Sequence, residues 1–174
     1  VRVRDIVTKA HENKWLLPRF QRYFDWNKHD IRDFIESIFF DQYVGAILLW
    51  EMEGEPPLDV MPIKGVQRDE GAKIEALILD GQQRITSLYY AIKAPEVKIK
   101  GSSAPVYFYV NFATFLQGDG SEEIVEVHAR KLTREQSYEK LLFPMYELEA
   151  FSEWVNGLED YLLNKLSDTK KLRE

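Results

Sequence analysis

Asp80, Gly81, Gln82, Gln83 and Arg84 follow one another directly behind the apolar run IEALIL. A carboxylate, a glycine, two amides and a guanidinium in that order can hold an oxyanion, most naturally a phosphate. The elements around them are set by pattern. After Gly81, the residues Ile85, Leu88, Tyr89 and Ile92 fall at i, i+3, i+4 and i+7, which predicts an amphipathic helix. Residues 74–80 predict a buried strand, so the glycine must make the corner between strand and helix and let a ligand approach the backbone closely. The first turn of a helix carries unpaired N–H groups and the positive end of the dipole. Arg84 lies in that turn and off the apolar stripe, so its guanidinium adds to the backbone donors and the two amides. Asp80 would repel a phosphate unless it caps the helix or helps bind Mg²⁺ that bridges to the phosphate. Thr86 and Ser87 are weaker candidates for phosphate contacts, and simpler as solvent-facing residues. The plain alternative for the whole run is an ordinary strand-to-helix turn, with Asp80 as cap and Arg84 in a surface ion pair.

A second polar cluster stands about sixty residues upstream. LPRFQRYFDW (residues 17–26) places Gln21 and Arg22 among aromatics beside Pro18. It reads either as an arm tacking aromatics onto the core or as the source of a second guanidinium for the same pocket. The elements that must position both clusters are mixed. NKHDIRDFIESIFF predicts a helix with Asn27 as N-cap and Asp30 three residues on. YVGAILLWEM predicts a buried strand opening near Gly45, and residues 53–73, rich in Pro, Gly and charge, predict a surface loop. PVYFYVNF and EIVEVHA predict strands joined by the turn QGDGS. TREQ matches a capping box for a helix ending before Pro144. Leu148, Phe151, Val155, Leu158 and Leu162 mark a longer helix over residues 146–166. The expected fold class is α+β.

Composition limits what this fold can do. At 174 residues with 45% hydrophobic content, the chain is long enough to bury a core and too apolar for disorder. No apolar run approaches the roughly 18 residues a membrane helix needs, and VRVRDIV is not a signal peptide. The absence of cysteine excludes disulfides and thiolate metal sites and fits a reducing cytoplasm. His11, His29 and His128 show no metal-ligand spacing. A net charge of −6 argues against a protein that simply coats nucleic acid. The acidity is uneven: residues 1–40 hold eight basic and six acidic side chains, residues 133–166 three and seven. Anion binding near the N-terminal half stays open. The start without Met and the charged end DTKKLRE suggest a domain of a longer protein.

LPRFQRYFDW followed by LDGQQRITSL resembles the DGQQR-motif family, typified by the N-terminal domain of GmrSD-type type IV restriction enzymes and related phage-defence proteins. The resemblance covers roughly residues 1–112. It implies a ParB/sulfiredoxin-like fold, a small mixed sheet flanked by helices, over residues 1–130, with a helical extension over residues 131–174. Gly-Gln-Gln-Arg stands here where ParB-like proteins have Gly-Glu-Arg-Arg, so ParB's nucleotide preference does not carry over with the fold.

The resemblance also implies NTP binding, and hydrolysis with Mg²⁺, that regulates a nuclease directed at foreign or modified DNA. Asp80, Gly81, Gln82, Gln83 and Arg84 are the motif, and Pro18, Phe20, Gln21 and Arg22 its upstream partner. Gly81 and the amides would cradle phosphate and Arg84 and Arg22 would neutralise it. Asp80 would place Mg²⁺ or a water, and Gln82 or Gln83 would orient the nucleophile. A nuclease domain or subunit is the implied partner, and DNA would be met through the full-length protein or complex. The chain itself has no His-Asn-His constellation and no GxxxxGK[ST] loop. Two other classes remain: a DNA-binding or modified-base-sensing module whose phosphate contacts supply affinity, and an interaction scaffold with an inactive site.

Overall fold

The structure is a computed structural model that describes residues 2–117 and 123–171, with side chains to residue 167. The QGDGS turn falls almost wholly outside the described residues. The chain divides into two compact units, residues 1–106 and 107–174. The strands formed within PVYFYVNF and EIVEVHA lie in the second unit.

In the first unit, β1 (Trp15–Pro18), β2 (Leu48–Glu51), β3 (Val60–Met61) and β4 (Ala76–Asp80) form one mixed sheet in the order β2-β4-β1-β3. β1 and β4 run parallel, with Trp15 opposite Ala76 and Leu16 opposite Leu77. The outer pairs are antiparallel. Side chains of a strand alternate between faces, and the two faces have different covers. Trp15, Leu17, Ala76 and Ile78 pack with Ile6, Val7 and Ala10 of α1 (Val3–His11) and with Ile85, Leu88, Tyr89 and Ile92 of α3 (Gln82–Lys93). Leu16 and Leu77 face the other way, onto Ile74, Met52, Leu58 and Val60.

Several elements differ from the sequence reading. YVGAILLWEM is not a buried strand. Only Leu48–Glu51 joins the ladder, at the sheet edge, leaving Leu48 and Trp50 exposed. Leu49 stands opposite Ile78 and packs on the helix-covered face, whereas Trp50 stands opposite Leu77 on the other face, where the cover is the small cluster around Leu16. The 53–73 loop contributes the two-residue strand β3. LPRF, read as part of an arm, begins in a central strand whose four residues are all buried. α1 carried no expectation at all.

α2 (Lys28–Phe39) starts as its sequence predicts. Asn27 Oδ1 accepts from the backbone of His29 and Asp30, and Asp30 accepts from the Asn27 N–H, closing a full capping box. Replacing a cap of this kind by alanine costs about 1 kcal/mol. Asn27→Ala should lower the urea midpoint without changing the slope of the transition.

The second unit is a three-stranded antiparallel sheet, β6-β5-β7, from β5 (Tyr107–Asn111), β6 (Val125–His128) and β7 (Leu142–Pro144). α4 (Phe112–Gln117) follows β5 directly. The expected capping box opens α5 (Arg134–Glu139), which ends before Pro144. The last helix starts later than expected. Residues Met145–Ala150 form 3₁₀ turns, and α6 runs Phe151–Lys171. Its buried anchor is Trp154, absent from the expected stripe, whose indole N–H donates to Ser137 Oγ at 2.9 Å. Among the described residues, no helix is long and apolar enough to cross a membrane.

Candidate functional site

β4 ends on Asp80 and α3 begins at Gln82, which leaves one residue for the corner. Gly81 takes it at φ +97°, a left-handed conformation that costs side-chain-bearing residues energy. A Cβ there would stand 3.0 Å from Ile47 Cγ1. The glycine therefore answers both to the turn and to the close pass of the chain before β2. No side chain caps the helix that follows. Asp80 Oδ1 accepts from the Gly81 N–H at 2.7 Å, one residue short of the first turn. The cap role considered for Asp80 is thus not the one it takes.

Arg84 is held from two sides. Its Nη1 donates to the Val44 carbonyl at 3.1 Å, and its Nη2 pairs with Asp80 Oδ2 at 3.2 Å. Its side chain is largely buried, whereas that of Asp80 is largely exposed. Val44 can reach it because Gly45 turns the chain at φ +88°, and a Cβ on Gly45 would lie 2.0 Å from Nη1. Gly45 and Val44 are site residues that the sequence did not single out. The one available signal was a glycine opening an apolar run, with nothing to say what it faced. Gly45→Ala should push the guanidinium aside and strain the backbone by about 1–2 kcal/mol. The expected outcome is a melting point lower by a few degrees together with weaker binding of inorganic tripolyphosphate. Unchanged tripolyphosphate affinity in a folded variant would show that this placement of Arg84 does not matter.

The two clusters converge. Gln21, Arg22 and Trp26 line the same cleft as Asp80, Gly81, Gln82, Gln83 and Arg84, with Val44 and Leu79 completing a volume of about 450 Å³. Gln21 Nε2 donates to the carbonyls of Ile78 and Leu79, and so ties the segment after β1 to the end of β4. Gln83 ties the same segment to α3: its Oε1 accepts from the Asp25 N–H at 3.0 Å and its Nε2 donates to the Tyr23 carbonyl at 3.3 Å. These two amides hold backbone and have little left for a ligand. Gln82 differs, since its side-chain amide has no hydrogen-bond partner among the described residues although only 7% of the residue is exposed. Arg22 is exposed and pairs with no carboxylate among the described residues.

Thr86 and Ser87 do not line the cleft. Both are fully buried, which corrects the solvent-facing alternative as well. Ser87 Oγ donates to the Gln83 carbonyl at 2.8 Å, and Thr86 Oγ1 has no partner among the described residues. Neither Phe20 nor Pro18 lines the cleft: Phe20 is 76% exposed, and Pro18 is buried at the end of β1. No group of three or more His, Asp or Glu side chains able to hold a metal occurs among the described residues. A metal at Asp80 would therefore need most of its ligands from a bound anion and water.

The cleft thus presents two cations, one carboxylate, an amide without a partner and the uncapped start of a helix. It can hold an anion with backbone and guanidinium donors together. An uncharacterized protein of Methanocaldococcus jannaschii, MJ0686, is 36% identical over 120 residues, or 66% of this chain and 21% of that protein. The chain therefore spans about a fifth of the length of that relative. A family profile described as the GmrSD restriction endonuclease N-terminal domain matches residues 3–174. By that match, which covers nearly its whole length and both clusters of the cleft, the chain belongs to the family of GmrSD restriction endonuclease N-terminal domains.

Proposed function

We propose that the Gly81 cleft binds a nucleoside triphosphate and hydrolyses it with Mg²⁺, and that this event regulates a DNA-restriction nuclease directed at foreign or modified DNA. The observation that carries the reading is the convergence of Arg22 and Arg84 on an uncapped helix start, from segments about sixty residues apart. The Gln82, Gln83 and Arg84 N–H groups would take phosphate oxygens, and Arg84 would exchange the Asp80 carboxylate for them. Asp80, released, is the residue that would hold Mg²⁺. A single carboxylate fits an ion that keeps several waters and arrives on phosphates. When bound, the ion would screen phosphate charge and acidify a bound water. Gln83 is a positioning residue in this reading, because both ends of its amide are engaged by the Tyr23 and Asp25 backbone. The nuclease would be a further domain or a partner subunit, and contact with DNA would come through the full-length protein or complex.

The decisive experiment is a thermal-shift panel of ATP, GTP, CTP and their diphosphates, with and without Mg²⁺. A ligand bound only by the folded state raises its stability, by about 2.7 kcal/mol at a hundred times Kd. A flat panel at millimolar nucleotide would remove the reading. A second reading, direct DNA contact, is favoured by the exposed run Arg19, Phe20, Arg22 and Tyr23. Salt-dependent oligonucleotide binding that survives Arg84→Ala would support it.

A further inference from the structure

A second hollow, of about 460 Å³, adjoins the Gly81 cleft, and the two share one wall residue, Gln82. The segment after β1 borders both. Gln21 and Arg22 line the first, and Tyr23 and Phe24 line the second. The far wall of the second hollow is the turn after β3, from Met61 through Ile63 to Val66. Lys64 contributes its one cation, with Nζ 6.0 Å from the centre of the Phe24 ring. The two hollows therefore differ in chemistry: one is built from charges and helix N–H groups, the other from aromatic and aliphatic surface.

Gln82 stands at their junction with its amide uncommitted. Gln21 and Gln83 are both engaged by backbone, and Gln82 is not. Its amide atoms reach solvent, so they lack a hydrogen-bond partner among the described residues without being sealed off. Thr86, one helical turn on, has a fully buried Oγ1 that also lacks one. An amide carries a donor and an acceptor side by side, the pattern that matches the edge of a nucleobase. Aromatic side chains offer such a base a stacking face.

We propose that the hollow between Tyr23 and Val66 receives the base of the nucleotide whose phosphates lie at Gly81, and that the Gln82 amide hydrogen-bonds the nucleoside between them. The inference rests on the phosphate reading of the Gly81 cleft and adds a specificity determinant to it. Gln83 serves both halves, because it fixes the Tyr23 and Asp25 backbone and so sets where the aromatic wall stands.

The test compares nucleotides with inorganic tripolyphosphate, which has the charge and lacks the base. Calorimetric titrations of the 174-residue chain in Mg²⁺ buffer would use ATP, GTP, CTP, UTP and tripolyphosphate. The proteins would be wild type, Tyr23→Ala and Gln82→Met. The Tyr23 side chain is 83% exposed, so its removal spares the fold. Wild type should bind at least one nucleotide about tenfold or more tighter than tripolyphosphate. Tyr23→Ala should reduce that preference severalfold while leaving tripolyphosphate affinity unchanged, and Gln82→Met, at a residue that also borders the phosphate cleft, should reduce the preference severalfold. Equal affinity of wild type for nucleotides and tripolyphosphate would overturn the inference and leave the phosphate site standing. So would a Tyr23→Ala protein that keeps the full preference. Failure of wild type to bind either kind of ligand would remove both the inference and the reading beneath it.

Discussion

Arg84→Ala should lower the affinity of the domain for nucleotides by about a hundredfold or more while lowering its melting point by only a few degrees. The asymmetry follows from where the guanidinium sits. In the resting cleft it makes one pair with a largely exposed carboxylate and one bond to the Val44 carbonyl. The first is worth about 0–1 kcal/mol and the second about 0.5–1.5 kcal/mol. Against a phosphate the same fork makes charge-assisted bonds of about 1.5–3 kcal/mol each, and nothing nearby replaces it. Arg22 has no comparable anchoring, so it cannot take over the position. Arg84→Lys should fall between the two, because an ammonium keeps the charge and loses the paired geometry. Titration calorimetry and melting curves on both variants give the comparison. An alanine variant that binds nucleotides as tightly as wild type would place the anion somewhere other than the Gly81 corner.

How much of this was legible in the sequence depends on the range over which each feature is determined. The capping boxes at Asn27 and Thr133 are local: a cap, a partner three residues on, then an amphipathic stripe, and both form as written. The Gly81 corner is local too, since one glycine between a strand and a helix leaves few other conformations. β1 and β3 gave no period to detect. Trp15–Pro18 is buried on both faces, and Val60–Met61 is two residues long. The late start of α6 follows from packing. Leu148 lies in the 3₁₀ turns and is 43% exposed, whereas Trp154, outside the counted positions, is buried against Ser137.

Within the site, residue types were readable and their divisions of labour were not. Gln82 and Gln83 are neighbours of one kind in sequence. One side chain lies under the Tyr23 and Asp25 backbone, and the other lies at the wall between two hollows. Only the path of the chain after β1 separates them. The contact of Gly45 with Arg84 spans about forty residues, and no local pattern encodes it.

Asp80→Ala should leave nucleotide binding largely intact and remove Mg²⁺-dependent phosphate release. Asp80 has two resting duties, accepting from the Gly81 N–H and pairing with Arg84, and both concern charge already in the cleft. When a phosphate arrives, the carboxylate competes with it for the same guanidinium and repels it. Removing the carboxylate should therefore strengthen binding in the absence of Mg²⁺. With Mg²⁺ the sign changes, because the carboxylate becomes useful once an ion neutralises it against the phosphates. The two conditions thus separate a metal-holding carboxylate from a structural one. A helix cap would lose about 0.5–2 kcal/mol of stability on truncation, with no effect specific to turnover. Asp80 accepts from the corner residue rather than from the first turn, so a small stability loss is expected here. Melting curves, nucleotide affinity with and without Mg²⁺, and phosphate release on the same preparation settle the comparison. Full Mg²⁺-dependent turnover in Asp80→Ala would end the metal assignment and leave the carboxylate as a partner for Arg84 and Gly81 alone.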